Sequence, residues 1–83
     1  MAEYLVLVCY SNRGYVVVQQ DITIHQAHQV ALEIVESRPA DFGLFKSVTI
    51  FDIDDAIVYR WVHKQGVVMD HTASHVAAAN ALD

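Results

Sequence analysis

The residues of this chain with the clearest capacity for chemistry are its five histidines, four of which form two pairs at helical spacing. His25 and His28 are three residues apart, so their imidazoles would lie on one face of a helix. His71 and His75 are four residues apart and have the same property. Paired imidazoles are typical ligands of transition metals, but no third ligand can be assigned from the sequence. The four histidines are therefore weak metal candidates, and we expect neither a metal nor a cofactor.

The acidic residues Asp52, Asp54 and Asp55 form the densest charged group. Their spacing lacks the glycine and the distal glutamate of an EF-hand calcium loop. Aspartates are common in tight turns, which predicts that these three lie at the exposed tip of a hairpin. At such a tip they would make an acidic contact for a basic surface of a partner.

Catalytic motifs are not apparent in the sequence. It contains no glycine-rich phosphate loop, no nucleophile elbow and no local Ser-His-Asp or Cys-His signature. Cys9 alternates with Leu7 along an apolar segment, which is typical of a buried and inert thiol. We predict that the protein is not an enzyme.

The charge and hydropathy of the chain exclude several classes of partner. The chain has 83 residues and a net charge of −5, and its basic residues are never adjacent, which argues against direct nucleic-acid binding. No apolar run approaches the ~20 residues of a membrane span. No export signal is visible at the start, and the single cysteine fits a reducing compartment, so we expect a cytoplasmic protein without a membrane anchor.

The apolar periodicity predicts one domain in residues 1–66, followed by a tail in 67–83. Alternating or β-rich segments at 4–10, 15–20, 45–53 and 56–63 predict two hairpins, and the period of three to four over 21–38 predicts a helix between them. Thr23 and Gln26 have the spacing of a capping box. The predicted fold class is α+β, with the order β-β-α-β-β, a four-stranded antiparallel sheet and one helix packed on one face. The tail would add a short strand and an alanine-rich helix.

The second hairpin predicts which side of the sheet the helix covers. An unpaired guanidinium costs roughly several kcal/mol to bury, so the face that carries Arg60 is predicted to lie away from the helix. The opposite face is predicted to contact it and carries Val48, Ile50, Ile57, Tyr59 and Trp61.

The first hairpin is apolar on both faces, so its orientation depends on residue type. Tyrosines favour a boundary where the hydroxyl finds a partner, which predicts that the aliphatic face of Leu5, Leu7, Cys9, Val16 and Val18 contacts the helix. The uncovered side would then hold a candidate interface for a partner or a second copy, composed of Tyr4, Tyr10, Tyr15, Phe51, Val58, Arg60 and Val62.

Three coverings of that interface are consistent with the sequence: the tail, a second copy or a different protein. The alanines of the tail bury little area, so we favour a homodimer that also docks on a larger protein. The predicted function is a small, acidic, non-catalytic protein-binding module, a regulator or inhibitor of the kind that phages and mobile elements encode. The alternative is a small-ligand or metal-binding protein that uses the histidines or a dimer cleft.

Overall fold

The computed structural model describes residues 4–12, 14–54 and 56–81, and the side chains up to residue 78. It contains five strands and three helices in those ranges. They are β1 (Tyr4–Tyr10), β2 (Tyr15–Ile22), α1 (Ile24–Val35), α2 (Arg38–Asp41), β3 (Phe45–Phe51), β4 (Ile57–Val62), β5 (Gly66–Asp70) and α3 (Thr72–Ala81).

The strands form one antiparallel sheet in the order β2-β1-β3-β4-β5. The α+β class is therefore confirmed. The sheet has five strands where the predicted domain has four, because β5 and α3 form in the segment predicted as a tail with a short strand and an alanine-rich helix, and the short helix α2 was not predicted. The fifth strand forms because the chain reverses tightly after β4, with positive φ angles at Lys64 (70°) and Gly66 (80°). Val67 then pairs with Trp61 and Met69 with Arg60, which continues the ladder along β4, with Val68 as the extra residue of a bulge.

The predicted capping box sets the start of α1 and is confirmed. The backbone N–H of Gln26 donates to the Thr23 hydroxyl at 3.1 Å, and the N–H of Thr23 donates to the Gln26 amide oxygen at 3.0 Å. The helix ends at Val35, three residues before the predicted end. The chain then becomes extended at Ser37 (ψ 158°), which is the N-cap residue of the four-residue helix α2. Proline is tolerated in the first turn of a helix, so Pro39 lies within α2.

The core lies between the sheet and α1, on what we call the helix side. Cross-strand pairing places Val6 opposite Ile50 and Val8 opposite Val48, and the row continues to Trp61 in β4. From α1 the buried residues are Ile24, Ala27 and Ala31. The two alanines lack long side chains, so the helix can approach the sheet closely, and the valines beneath it are at most 1% exposed.

The C-terminal helix α3 also lies on the helix side, where it packs beside α1. Val76 contacts the core, and the Tyr4 hydroxyl is 2.8 Å from Nδ1 of His75, a hydrogen bond that joins the helix to the first strand. The alanine-rich segment therefore adds to the cover of the side that α1 already covers. It does not close the opposite side of the sheet.

Candidate functional site: the open face of the sheet

We use the name open face for the side of the sheet opposite α1. Its middle row crosses all five strands, because Leu7 pairs with Val17 and Thr49, and Arg60 pairs with Thr49 and Met69. A second row consists of Tyr15, Cys9, Ser47 and Val62, and a third of Leu5, Phe51 and Ile57. No helix of the described residues packs over these rows.

Small polar residues occupy the centre of the open face. Ser47 and Thr49 are each only 4% exposed, because their short side chains lie between the longer side chains of neighbouring strands. Arg60 is exposed and pairs with Thr49, on the side of the sheet away from α1 that the sequence predicts. The centre is therefore a shallow surface with a guanidinium on one flank.

In the first hairpin, the face that contacts the core is the opposite of the one predicted. Leu5 and Leu7 are on the open face, whereas Val6 and Val8 contact the core. Cys9 is likewise on the open face and half-buried, where it pairs with Ser47. Both faces of this hairpin are apolar, so alternation could not select one, and the tyrosine argument selected the wrong one.

Two of the predicted interface tyrosines consequently lie on the helix side. Tyr4 packs against the core, and its ring contacts that of His75 at a centroid distance of 5.7 Å. Tyr10 contacts Phe45, another residue that packs against the core, at 5.4 Å. Their hydroxyls find the boundary that tyrosine favours at the rim of the helix side. The prediction that Tyr4 and Tyr10 lie on the open face is therefore wrong.

A β-bulge in β4 places a third residue of the predicted interface on the helix side. Ile50 pairs with Tyr59, but the next pair is Phe51 with Ile57, so Val58 is an extra residue in β4. A bulge of this kind shifts the alternation of side chains along its strand. Val58 is 1% exposed within the core, and Ile57 is on the open face, which is the reverse of both predictions. Tyr15, Phe51 and Val62 are on the open face, and their role in an interface stays a prediction.

A depression of about 410 Å³ lies at one end of the open face. Leu5, Leu7, Val17 and Phe51 give it an apolar floor. Asp21 and Asp52 contribute carboxylates to its lining. The open face thus carries a guanidinium near β5 and acidic groups near the opposite corner.

The acidic tip of the second hairpin has a structural explanation. Oδ1 of Asp52 accepts hydrogen bonds from the backbone N–H of Asp54 at 2.9 Å and from that of Ala56 at 3.0 Å. This arrangement fixes the turn between β3 and β4. Asp54 is exposed, and Asp55 lies outside the described residues. The partner contact predicted for the three aspartates is not tested by these bonds.

The histidines are distributed among separate aromatic and backbone partners. His28 contacts the ring of Tyr59 at 6.1 Å, and His75 contacts Tyr4. The backbone N–H of His71 donates to the carbonyl of Val58 at 2.7 Å, and His25 is exposed. Among the residues that the structure describes, no three His, Cys, Asp or Glu side chains are grouped as a metal site would require.

Tyr59 has an unusual environment on the helix side. Its hydroxyl is buried and has no hydrogen-bond partner among the described residues. Burial, together with the negative charges of Asp70 and Glu36, raises the pKa of the Tyr59 hydroxyl above its ordinary value. The Tyr59 hydroxyl is therefore protonated at neutral pH, and the side chain packs within the core.

Comparison of the chain with protein-family models, with curated protein sequences and with solved structures finds no match. No helix within the described ranges is long and apolar enough to cross a membrane. The open face is therefore the feature of the molecule from which its function is inferred. Sequence reasoning missed Leu7 and Met69 as members of this face; the pairing of Leu7 with Thr49 and of Met69 with Arg60 places them there.

Proposed function

We propose that this protein is a non-catalytic protein-binding module that docks through its open face on a larger protein and regulates or inhibits it. The observation that carries the proposal is the uncovered middle row, which crosses all five strands and is apolar except for Thr49 and Arg60. Antiparallel sheets commonly expose one face, but the exposed strands then alternate apolar with polar residues. Here Leu5, Leu7 and Phe51 stand where polar residues would be expected.

The size of the open face suits a modest protein interface. Five strands at ~4.8 Å spacing and about six residues of length give a surface of roughly 24 by 20 Å. The largest apolar patches of monomeric proteins, about 300–600 Å², are often functional. An interface of this area is near the lower limit of specific complexes, so a regulatory and reversible association fits better than a permanent one.

Arg60 defines the chemistry that a partner must supply. A guanidinium enclosed by an interface needs a carboxylate, a backbone carbonyl or an aromatic ring opposite it, because unpaired buried charge is costly. The other residues of the middle row cannot accept its hydrogen bonds, apart from the Thr49 hydroxyl. The partner therefore presents an apolar surface with an acceptor group near its centre.

The acidic corner adds a second requirement. Asp21 and Asp52 lie beside the apolar depression, and Asp54 is exposed at the neighbouring turn. Opposite charges at the rim of an interface mainly raise the association rate and fix orientation. A protein surface with lysine or arginine at one side of its apolar patch would match both features of the open face.

The alternative function, a small-ligand or metal-binding protein, has less support. Its histidines contact separate partners, and the described residues contain no group of three metal-ligating side chains. A ligand-dependent rise in melting temperature would favour this alternative, since ligands that bind only the folded state stabilise it.

The test of the proposal is capture of the partner from the native host, followed by affinity measurements on the purified pair. We expect Arg60→Ala to weaken binding by ~1–3 kcal/mol, the cost of truncating an interface anchor. Its unfolding free energy should change by less than about 0.5 kcal/mol, because the side chain is exposed.

Arg38→Ala is the matched control, because Arg38 is also an exposed arginine but belongs to α2, which packs on the helix side. It should bind as the parent does. If Arg60→Ala and the parent bind with equal affinity, or if Arg38→Ala is the weaker of the two variants, the partner does not dock on the open face.

A further inference from the structure

The edge strand β2 has an apolar outer surface that the sheet leaves unpaired. All residues of β2 except Ile22 are exposed, and its three consecutive valines, Val16 to Val18, are between 38% and 46% exposed. β2 lies at the end of the strand order, so one edge of its backbone has no neighbouring strand among the described residues. Such an edge can hydrogen-bond with an added strand.

The usual protections of an edge strand are few in β2. It contains no proline and no lysine or arginine, and Asp21 is its one charged residue. The stretch from Tyr15 to Gln20 is uncharged in a chain whose net charge is −5. Two copies of an acidic protein repel each other least where they meet through uncharged segments, so this edge suits self-association.

Two depressions flank the end of β2, one on each side of the sheet. On the open face, the 410 Å³ depression is lined by Val17, Gln20 and Asp21. On the helix side, a groove of about 420 Å³ separates Gln19 and Ile22 from α1. The side chains of an added strand alternate between the two sides, so this edge offers a recess to each set.

We propose that β2 pairs antiparallel with β2 of a second copy about a two-fold axis, which joins the two sheets into one of ten strands. Antiparallel pairing places the start of one β2 beside the end of the other. Tyr15, which is 70% exposed and on the open face, then lies by the depression of the other copy, and Val16, on the helix side, lies by its groove. The chain thus supplies the residues that fill its own recesses.

This pairing goes beyond docking on the open face: Tyr15 of the second copy lies by the depression at one end of that face, and the part of the face around Arg60 stays accessible. A two-fold axis normal to the sheet places both open faces on the same side of the ten-stranded sheet. The dimer would present two copies of Arg60 to a target, and simultaneous engagement raises avidity without a new contact.

One feature of β2 opposes the pairing. Val6 pairs with Gln19 and Leu7 with Val17, so Val18 is the extra residue of a bulge, which increases the local twist. Val18 is also near the middle of β2, where the two-fold axis would bring the two copies of the residue together. The decisive substitutions are therefore made at this position.

The experiment measures mass by light scattering over concentrations from about 1 to 100 µM, because dimer formation depends on concentration. The parent chain is expected to approach twice its 9.3 kDa mass. Val18→Lys and Val18→Glu should each raise the dimer dissociation constant at least ~10-fold, since like charges opposite each other destabilise a strand pair. A mixture of the two variants should regain the dimer.

Val68→Lys is the matched control, because Val68 is an exposed valine (49%, against 38% for Val18) on the other edge strand, β5. It should dimerise as the parent does. A parent that stays monomeric throughout, a Val18→Lys variant that dimerises normally, or a dimer that only Val68→Lys or Arg60→Ala disrupts would each overturn the proposal. Loss of the dimer through Arg60→Ala would also show that the open face binds a second copy.

Hydrogen exchange of the parent gives a second test that needs no substitution. Backbone amides of Tyr15 to Gln20 that become hydrogen-bonded across the two-fold axis should exchange more slowly at high than at low concentration. Amides of β5 should exchange at the same rate at both concentrations. Equal rates in β2 at concentrations where the mass has doubled would contradict the pairing.

Discussion

The two faces of the sheet use the same strands for different purposes. In β3, Val48 and Ile50 are fully buried beneath α1, whereas Thr49 between them belongs to the open face, over which no helix of the described part of the chain packs. In β1, Val6 and Val8 contact the core, and Leu7 between them lies on the open face. Alternate residues of one strand therefore belong to the core on the helix side and to the open face on the other side.

The comparison also shows that apolar content alone does not identify the core. In β1, the helix side carries Val6 and Val8 beneath the alanines of α1, whereas the open face carries the larger Leu5 and Leu7. Small residues at the contact allow a helix to approach the sheet closely. Larger apolar residues without a cover are the ones that a partner can use.

The largest expected effect is on folding stability, from truncation of the helix side. Ile50→Ala should lower the unfolding free energy by ~2–5 kcal/mol, because it leaves a cavity in a fully buried site. Leu7→Ala removes a side chain of similar size from the half-buried open face and should cost about 1 kcal/mol, because less area leaves water there. Urea denaturation measures both, and equal losses would contradict the difference between the faces.

The bulge in β4 offers a second, smaller contrast between the faces. Val58→Ala should lower the unfolding free energy by ~1–3 kcal/mol, whereas Ile57→Ala should cost less although it removes more atoms. Strict alternation along β4 would give the opposite order. Thermal or urea unfolding of the two variants therefore tests whether Val58 is the residue that enters the core.

Tyr59→Phe tests the effect of a buried hydroxyl on the stability of the helix side. It removes a buried hydroxyl that has no partner in the described part of the chain, so the unfolding free energy should stay equal or rise by ~1 kcal/mol. The folded-state pKa of Tyr59 is raised above 10.0, so the parent should lose stability as the pH rises from about that value through the folded pKa. The Tyr59→Phe variant should lose less unfolding free energy over that pH range. If the variant and the parent lose equal amounts, the alkaline loss of stability comes from the ionisation of another group.

The smallest expected effect concerns Asp70, at the junction of β5 and α3. Burial alone would raise the pKa of Asp70, but hydrogen bonds from the backbone and hydroxyl of Thr72, with the charges of His28 and His71, lower it below 3.8. Its stabilising contribution is therefore present above that value and is lost as the pH falls through the lower folded pKa. In the Asp70→Asn variant, the unfolding free energy should fall slightly less steeply as the pH is lowered than it does in the parent. An identical pH dependence in the acid range would contradict this prediction.

Sequence reasoning predicted the elements that have local signals. Thr23 and Gln26 marked the start of α1, and the turn residues between the strands marked both hairpins. The fifth strand was expected only as a possible short strand in the tail, because Val67 to Met69 form a brief apolar run whose pairing depends on the turn at Lys64 and Gly66. Pairing between distant segments has no comparable local signal.

The face assignments show why the candidate site was predicted only in part. Arg60 was placed correctly because burying its charge is costly whatever the strand register. Tyr4 and Tyr10 were misplaced because both faces of their hairpin are apolar. Val58 was misplaced because it is the extra residue of a bulge, which reverses Ile57 and Val58 relative to strict alternation, and the sequence around it contains no glycine that would mark a bulge.

The most direct test of the central claim, that the open face is uncovered until a partner docks there, is the rate at which Cys9 reacts with a thiol reagent. Cys9 is the single cysteine, lies on the open face and is half-buried. We predict that the free protein reacts at a rate that low urea concentrations leave unchanged, and that saturation with the captured partner slows the reaction at least ~10-fold, because a docked surface excludes the reagent. A reaction that proceeds only through global unfolding in the free protein, or one that the partner leaves unchanged, would contradict the account.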